Sequence, residues 1–327
     1  MTHETGQQSK QTAIILAAGK GTRMKSDKLK VLHKVAGKPI VSYVVESVLE
    51  LGFDEVLLVI GHQADEIKKE INHPKVKFVI QEEQLGTGHA VIQAKEHLIQ
   101  DPNNQVMVLA GDCPLVKKET LSELINTHNE TKAKATILTA VLEDAASYGR
   151  ILRGENGGVT GIKEAKDCTP EELEINEINT AIYMFQEQEL VESLSKISTN
   201  NKQGEYYLTD VIHILKEDGQ PVSAYITDDP DQTIGVNTRM DLSMINKVIY
   251  QRHNLELMKN GVTIIDPDTT FIDQHVQIGQ DTVINPFTII QGKTTIGKHS
   301  NIGPNSVIID ATLDDHTSLP AFTKIDK

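Results

Sequence analysis

AIILAAGKGTRM, residues 13–24, is an apolar run that breaks at a glycine turn and continues as a basic loop. Its first half, AIILAA (13–18), is short, apolar and closed by glycine, which predicts a buried strand. The spacing behind it excludes two common phosphate loops. A P-loop needs Gly-Lys-Ser/Thr after four intervening residues. The dinucleotide fingerprint needs a third glycine where Met24 stands, with a helix directly behind. Here the loop runs on, rich in bases, to Pro39. Gly19 and Gly21 leave backbone N–H groups unobstructed toward a phosphate. Arg23 and Lys30 lie within reach of the strand end and can add charge-assisted contacts. Lys20, Lys28, Lys34 and Lys38 read as solvated surface.

Outward from this strand the pattern alternates. PIVSYVVESVLELG (39–52) has proline in its first turn and glycine at its end, a helix frame. EVLLVI (55–60), VKFVIQ (76–81), QVMVLAGD (105–112) and ATILTAVLE (135–143) predict strands. ADEIKKEI (64–71), GHAVIQAKEHL (88–98) and KETLSELINTH (118–128) predict the helices between them. Such alternation implies a mostly parallel sheet with helices on both faces. Ligands then bind beyond the carboxyl ends of strands, here the run ends at 18, 81 and 112. Residues 145–235 are less regular: YGRI, VTGIKE and EINTAIYMF predict strands of a mixed extension, and EYYLTDVIHILKEDG a helix. Residues 239–261, with Leu242, Ile245, Val248 and Ile249 at helical spacing, predict a connecting helix that stops at Gly261.

The last segment changes period. Ile272, Ile278, Ile284, Ile290, Ile296, Ile302 and Ile308 stand six residues apart. Thr282, Thr288, Thr294, Ser300, Ser306 and, in the next step, Thr312 place a small hydroxylated residue two positions ahead of the repeat. One inward apolar residue per six predicts a parallel β-helix, whereas a β-sandwich would show period two. At roughly eighteen residues per coil it would hold about two to three and a half coils.

Bulk properties narrow the partners. The 327 residues suffice for two domains. A net charge of −14 argues against nucleic-acid binding, since phosphate backbones would be repelled. No apolar run reaches the length of about eighteen residues that a membrane span needs. MTHETGQQSK (1–10) is polar, lacks the core of a secretory signal and reads as a flexible tail. Cys113 and Cys168 stand far apart outside any metal-ligand spacing, which fits a reducing, cytoplasmic setting.

LAAGKGTRM with KVLHKVAGKP resembles the signature of sugar-1-phosphate nucleotidylyltransferases. QEEQLGTGHA (81–90), EINTAI (177–182), GEYYLTD (204–210) and GVNTR (235–239) narrow the resemblance. They are similar to the uridyltransferase part of the bacterial bifunctional N-acetylglucosamine-1-phosphate uridyltransferase / glucosamine-1-phosphate acetyltransferase family. The similarity covers residues 12 to about 310. It implies an α/β fold: a Rossmann-like mixed, mostly parallel nucleotidyltransferase sheet over 11–238, a connecting helix over 239–261, and a short left-handed parallel β-helix over 262–327.

The resemblance also implies roles. Leu16, Ala17, Ala18, Gly19 and Gly111 would hold the nucleotide, with Arg23 and Lys30 on its phosphates. Gln81, Gly86 and Thr87 would recognise uracil, an amide and backbone groups matching its donor–acceptor edge. Asp112 and Asn237 would bind Mg²⁺, which suits few protein oxygens plus phosphates and water. Gly149, Glu164 and Asn179 would face the sugar. Plainer readings are a polar strand end for Gln81, a helix cap for Asp112 and a solvated acid for Glu164. The reaction implied is UTP plus N-acetylglucosamine-1-phosphate giving UDP-N-acetylglucosamine and pyrophosphate, a step toward peptidoglycan, in a homotrimer joined through the β-helix. Alternatives are a nucleotidylyltransferase for another sugar-1-phosphate, or a non-catalytic trimeric UDP-sugar-binding protein. Leu29, Ala110 and Ala181 depart from the family pattern, which often has glycine at the last. His299 and His316 lie too early in the β-helix to replace the acetyltransferase histidine, so no acetyl transfer is expected.

Overall fold

The computed structural model describes residues 10–61, 64–98 and 101–326. The tail expected over 1–10 lies outside them but for Lys10. The chain forms two units: one from the chain up to Leu32 plus Val41–Gly235, the other from His33–Ile40 plus Val236 onward. Residues 33–40, expected in the first domain, thus belong to the second, as does Asn237.

In the first unit the sheet strands are β1 (Gln11–Leu16), β2 (Glu55–Ile60), β3 (Val76–Ile80), β4 (Gln105–Ala110), β5 (Ala135–Val141), β6 (Arg150–Arg153), β7 (Val159–Lys163), β8 (Glu177–Gln186) and β9 (Val222–Ile226). The main order is β9-β5-β8-β4-β1-β2-β3, with β6 and β7 as a side hairpin. β1 pairs in parallel with both β2 and β4, while β8 runs antiparallel between β4 and β5. Every residue of β2 is buried, as expected of a parallel strand covered on both faces. Strand alternation sends Ala13 and Ile15 to one core and Ile14 to the other. Helices Ile40–Glu50 and Lys118–Thr131 cover the first face. Helices Thr87–Ala94, Glu187–Leu194 and Asp210–Glu217 cover the second.

Two departures from the expected elements share a cause. The helix expected over 205–219 begins only at Asp210. Residues 206–208 are instead stitched to the segment before helix Thr87–Ala94: Tyr206 N–H donates to the Leu85 carbonyl at 2.8 Å, and Gly88 N–H to the Tyr206 carbonyl at 2.8 Å. Leu208 N–H donates to Thr87 Oγ1 at 3.1 Å. Backbone groups spent on these bonds cannot join a helix. Strand β9, where the sequence reading assigned no element, pairs in parallel with β5 at the sheet edge.

The second unit contains the β-helix, whose three faces carry four, four and three parallel strands. Ile272, Ile284, Ile290, Ile296, Ile302 and Ile308 fill its core, and Ile278 is partly buried. The hydroxyl positions satisfy the corners: Thr288 donates to the Asn285 carbonyl, Thr294 to Gln291 and Ser306 to Gly303, each at 2.7 Å. The expected place of Thr312 is corrected. One step is a residue shorter, so Ala311, 1% exposed, occupies the small position under Thr294, and Thr312 pairs with Thr295 on the strand. Leu313, Leu319 and Ile325 carry the inward series onward.

The helix Arg239–Lys259 starts from a capping box, Thr238 and Asp241 bonding each other's backbone N–H, and Gly261 follows it at φ 92°. The hairpin Lys34–Pro39 is held within this unit by Ala36 N–H donating to Asn246 Oδ1 at 2.8 Å and by Gln274 N–H donating to the Ala36 carbonyl at 3.1 Å. Lys38, read as solvated, is buried there. Lys20, Lys28 and Lys34 are exposed as expected. No described helix is long and apolar enough to cross a membrane.

Candidate functional site

Chain order runs from β1 outward through β2 to β3, then returns to β4 on the other side of β1. The carboxyl ends of β1 and β4 therefore flank the topological switch where open α/β sheets leave a crevice. A cleft of about 300 Å³ lies there, lined by Leu16, Ala17, Ala18, Gly19, Lys30, Ala110 and Asp112 at one end and by Gln81, Gln84, Gly86 and Thr87 at the other. The strand ends hold together because Gly111 N–H donates to the Leu16 carbonyl at 2.9 Å. A Cβ at Gly111 would stand 3.0 Å from that oxygen, a tight approach that the backbone would have to relieve by a shift of a few tenths of an ångström.

The basic loop reaches this floor through Lys30 and the neighbouring Val31. Gly21 turns at φ 59°, and a Cβ there would meet the Lys30 Cβ at 2.6 Å. Left-handed backbone and close approach both call for glycine. Lys30, packed against it, forms an ion pair with Asp112, and both side chains are largely buried. Asp112 does not cap the helix at Lys118, whose first turn has no side-chain cap. Gly235, the last residue of the first unit, passes within 3.3 Å of Asp112 Oδ1, measured from the site of its absent Cβ. Arg23 stands exposed on the short turn Thr22–Met24 and is not part of the cleft lining.

At the far end Gln81, 3% exposed, turns its amide nitrogen toward the Gly86 carbonyl at 3.3 Å and His89 Nδ1 at 3.1 Å. Gly86 has φ 112° and ψ 174°, a conformation essentially confined to glycine. Thr87 lines the cleft, with its hydroxyl oxygen accepting from Leu208.

Gly149, Glu164 and Asn179 form a neighbouring group outside the cleft lining. Asn179 N–H donates to the Gly149 carbonyl at 2.8 Å, and Asn179 Nδ2 donates to the Tyr183 hydroxyl at 2.7 Å. The Thr209 hydroxyl donates to Glu164 Oε1 at 3.3 Å. Burial pushes the Glu164 carboxyl above its ordinary value, assisted by the negative charges of Asp167, Asp210 and Glu205. Native Glu164 therefore holds its proton more tightly than unfolded Glu164. Its stabilising contribution is full below the ordinary carboxylate value and is lost as pH rises through the raised one. Glu164→Gln should remove that decline, raising the urea midpoint at about pH 8 relative to the parent more than at about pH 4. An unchanged pH dependence would refute it.

Ala181 lies at a break in the β8–β5 register between Asn179 and Ile182, at φ 60°, and lines the cleft. A left-handed residue with a Cβ costs about 1–2 kcal/mol, against about 0.5–1 kcal/mol for the extra freedom of unfolded glycine. Ala181→Gly should thus stabilise the fold by roughly 0.5–1 kcal/mol in urea titration. The sequence reading did not assign a role to Gln84, Glu205 or His89. The first two line the cleft. His89 sits inside the quoted QEEQLGTGHA, but only packing shows which side chain it meets.

Asn237 lies in the second unit, where its N–H donates to Asp241 Oδ2 at 2.9 Å. Among the described residues no three His, Cys, Asp or Glu converge as a metal cluster. Two carboxylates, Asp112 and Glu205, line the cleft, and a hard divalent cation can be held by one or two protein carboxylates with phosphate oxygens and water filling its shell.

The chain matches the Nucleotidyl transferase family over residues 12–236 and the Bacterial transferase hexapeptide (six repeats) over 275–310. It is 48% identical over 310 residues to the "Bifunctional protein GlmU" of Geobacillus sp. (strain WCH70), covering 95% of this chain and 67% of that one. The protein of that name from Clostridium botulinum (strain Eklund 17B / Type B) is 48% identical over 314 residues, 96% of this chain and 68% of the relative. That from Enterococcus faecalis (strain ATCC 700802 / V583) is 50% identical over 299 residues, 91% and 65% respectively. The chain thus spans about two thirds of the length of these relatives.

Proposed function

The chain belongs to the Nucleotidyl transferase family, and from that premise we propose that it transfers the uridylyl group of UTP to N-acetylglucosamine-1-phosphate, giving UDP-N-acetylglucosamine and releasing pyrophosphate. The observation that carries this reading is one cleft with the Lys30–Asp112 pair at one end and the Gln81 amide at the other. Inward, that amide donates to Gly86, so its oxygen is left to the cleft, where it can accept from the N3–H of uracil. The backbone of Leu16–Gly19 lines the same cleft and can follow the phosphates.

The attacking oxygen of a sugar phosphate is already an anion, so no general base is required. What opposes reaction is one phosphate approaching another. Lys30, presented beside the strand ends, offsets that charge, and Arg23 on the adjacent loop would add a second cation as the phosphates enter. A divalent cation, Mg²⁺, would be held by Asp112. When bound it supplies Lewis-acid polarisation and charge neutralisation at the phosphates. Catalysis is then positioning plus electrostatics. Gly149, Glu164 and Asn179 are the proposed sugar contacts, their oxygens and amide suited to hydroxyls and an N-acetyl group. The unpaired thiols of Cys113 and Cys168 fit a cytoplasmic setting.

Pyrophosphate release measured over UTP, CTP and dTTP against a set of sugar-1-phosphates, with and without Mg²⁺, tests the reading. Release should be greatest with UTP and N-acetylglucosamine-1-phosphate and should vanish on chelation. A different preferred sugar would move the assignment to a related transferase; UDP-sugar binding with no turnover would make the protein a sensor. We also propose a trimer through the β-helix, supported by the exposed aromatic rings of Phe271, Phe287 and Phe322. Sedimentation should give three times the chain mass, and a monomer would overturn it.

A further inference from the structure

We infer that His89 is a positioning residue that sets base selectivity: its ring locks the Gln81 amide with oxygen toward the cleft. The inference rests on the proposed uridylyl transfer for its substrate, but its geometry stands by itself. Gln81 Nε2 lies 3.3 Å from the Gly86 carbonyl and 3.1 Å from His89 Nδ1. A carbonyl can only accept, so the group facing Gly86 is the NH₂, and Nδ1, facing the same NH₂, must be the unprotonated ring nitrogen. His89 is then the tautomer carrying its proton on Nε2. Among the described residues no donor reaches Gln81 Oε1, which is left to the cleft that Gln81 lines.

A second amide contests this arrangement. Gln93 Nε2 lies 3.1 Å from His89 Nε2 and 3.4 Å from the His89 carbonyl. A neutral imidazole cannot accept at both nitrogens, so one amide has to turn over. Gln81 is 3% exposed, and turning it would set its oxygen against the Gly86 carbonyl with no water to relieve the clash. Gln93 also faces a carbonyl, that of His89, but it is only half-buried and borders open solvent beside Glu82 and Glu83, so water relieves the repulsion when it turns and presents its oxygen to Nε2–H. Tyr206 stacks on the imidazole at 6.2 Å and 28°, holding the ring plane. The chain Gln93–His89–Gln81 thus carries a single polarity from the surface to the base pocket.

That polarity separates two pyrimidines. Uracil offers an N3–H donor, which an exposed Gln81 oxygen accepts; cytosine offers an N3 acceptor, which meets the same oxygen as a repulsion. With the amide reversed, the preference reverses too.

Selective ¹⁵N labelling of histidine reads the tautomer without any substrate. The resonances missing from His89→Asn should show Nδ1 as the unprotonated nitrogen and Nε2 as protonated at neutral pH. A proton on Nδ1 overturns the inference. Steady-state kinetics read its consequence. In His89→Asn the side-chain oxygen occupies the place of Nδ1 and keeps an acceptor there, so the UTP/CTP ratio of kcat/KM should stay within about threefold of the parent. His89→Leu has no acceptor, and loss of one hydrogen bond should lower that ratio about tenfold. A ratio in His89→Leu equal to that of the parent, or in His89→Asn as low as in His89→Leu, overturns the inference. A parent enzyme with no activity on UTP would instead overturn the proposed function, leaving the tautomer assignment to the spectrum.

Discussion

Asp112→Asn is expected to lower kcat by about 10²–10³, the loss typical of removing a key electrostatic stabiliser from an active site. The substitution keeps shape and one oxygen but removes the charge that pairs with Lys30 at the ends of β1 and β4. Two consequences follow at once. Lys30 loses the carboxylate that holds it beside the glycine loop, and a divalent cation loses its only charged ligand among the proposed ones. Both act where negative charge accumulates during phosphoryl transfer, so kcat should fall while the KM for UTP, fixed largely by the Gln81 end, changes little. Stability should fall as well, because the pair is largely buried and Asn cannot supply the charge that balances Lys30. Turnover near the parental value at saturating Mg²⁺ would take Asp112 out of the mechanism.

Gly86→Ala should be the most damaging single methyl in the first unit. At φ 112° and ψ 174° an L-residue is strained by about 1–3 kcal/mol before any contact is considered. The added Cβ would also overlap the Tyr206 carbonyl oxygen, which is backbone and is itself bonded to Gly88 N–H. The stitch between residues 85–88 and 206–208 must then open, exposing bonds that also hold Thr87 to Leu208. A loss of about 3 kcal/mol or more is expected in urea titration, together with a higher KM for UTP because Gly86 anchors the Gln81 amide. If the midpoint and KM both match the parent, the stitch does not hold this end of the cleft.

Local patterns reported much of this architecture. The strand over residues 55–60 coincides with the run EVLLVI, since Val56–Ile60 are buried on both faces and Glu55 at the start is held by Lys10 and Lys77. The six-residue isoleucine period is equally local, as each step is one strand and one corner. It misplaced Thr312 because a shortened step shifts the register, and only the pairing with Thr295 shows that Ala311 fills the core-facing place. The late start of the helix at Asp210 had no signal in residues 205–209 themselves. It depends on partners more than a hundred positions away, around Leu85–Gly88. Strand β9 was missed for a similar reason: VSAYI is short and half-exposed, and takes its conformation from pairing with β5.

The cleft divides the same way. Residue types adjacent in sequence and obliged by chemistry were visible from the letters alone: glycines where backbone must approach a phosphate, the bases behind them, the carboxylate at the end of QVMVLAGD. Which of those bases meets that carboxylate was not, because Lys30 and Asp112 are brought together by the sheet order and Arg23 is left on the outer turn. Nor could sequence show that Lys38 is buried, that Ala181 is left-handed, or that His89 faces Gln81. Order along the chain determines period, turn and charge, since these arise between near neighbours. Pairing, tautomer and strain arise between residues that only the folded sheet makes neighbours, so the tertiary structure alone decides them.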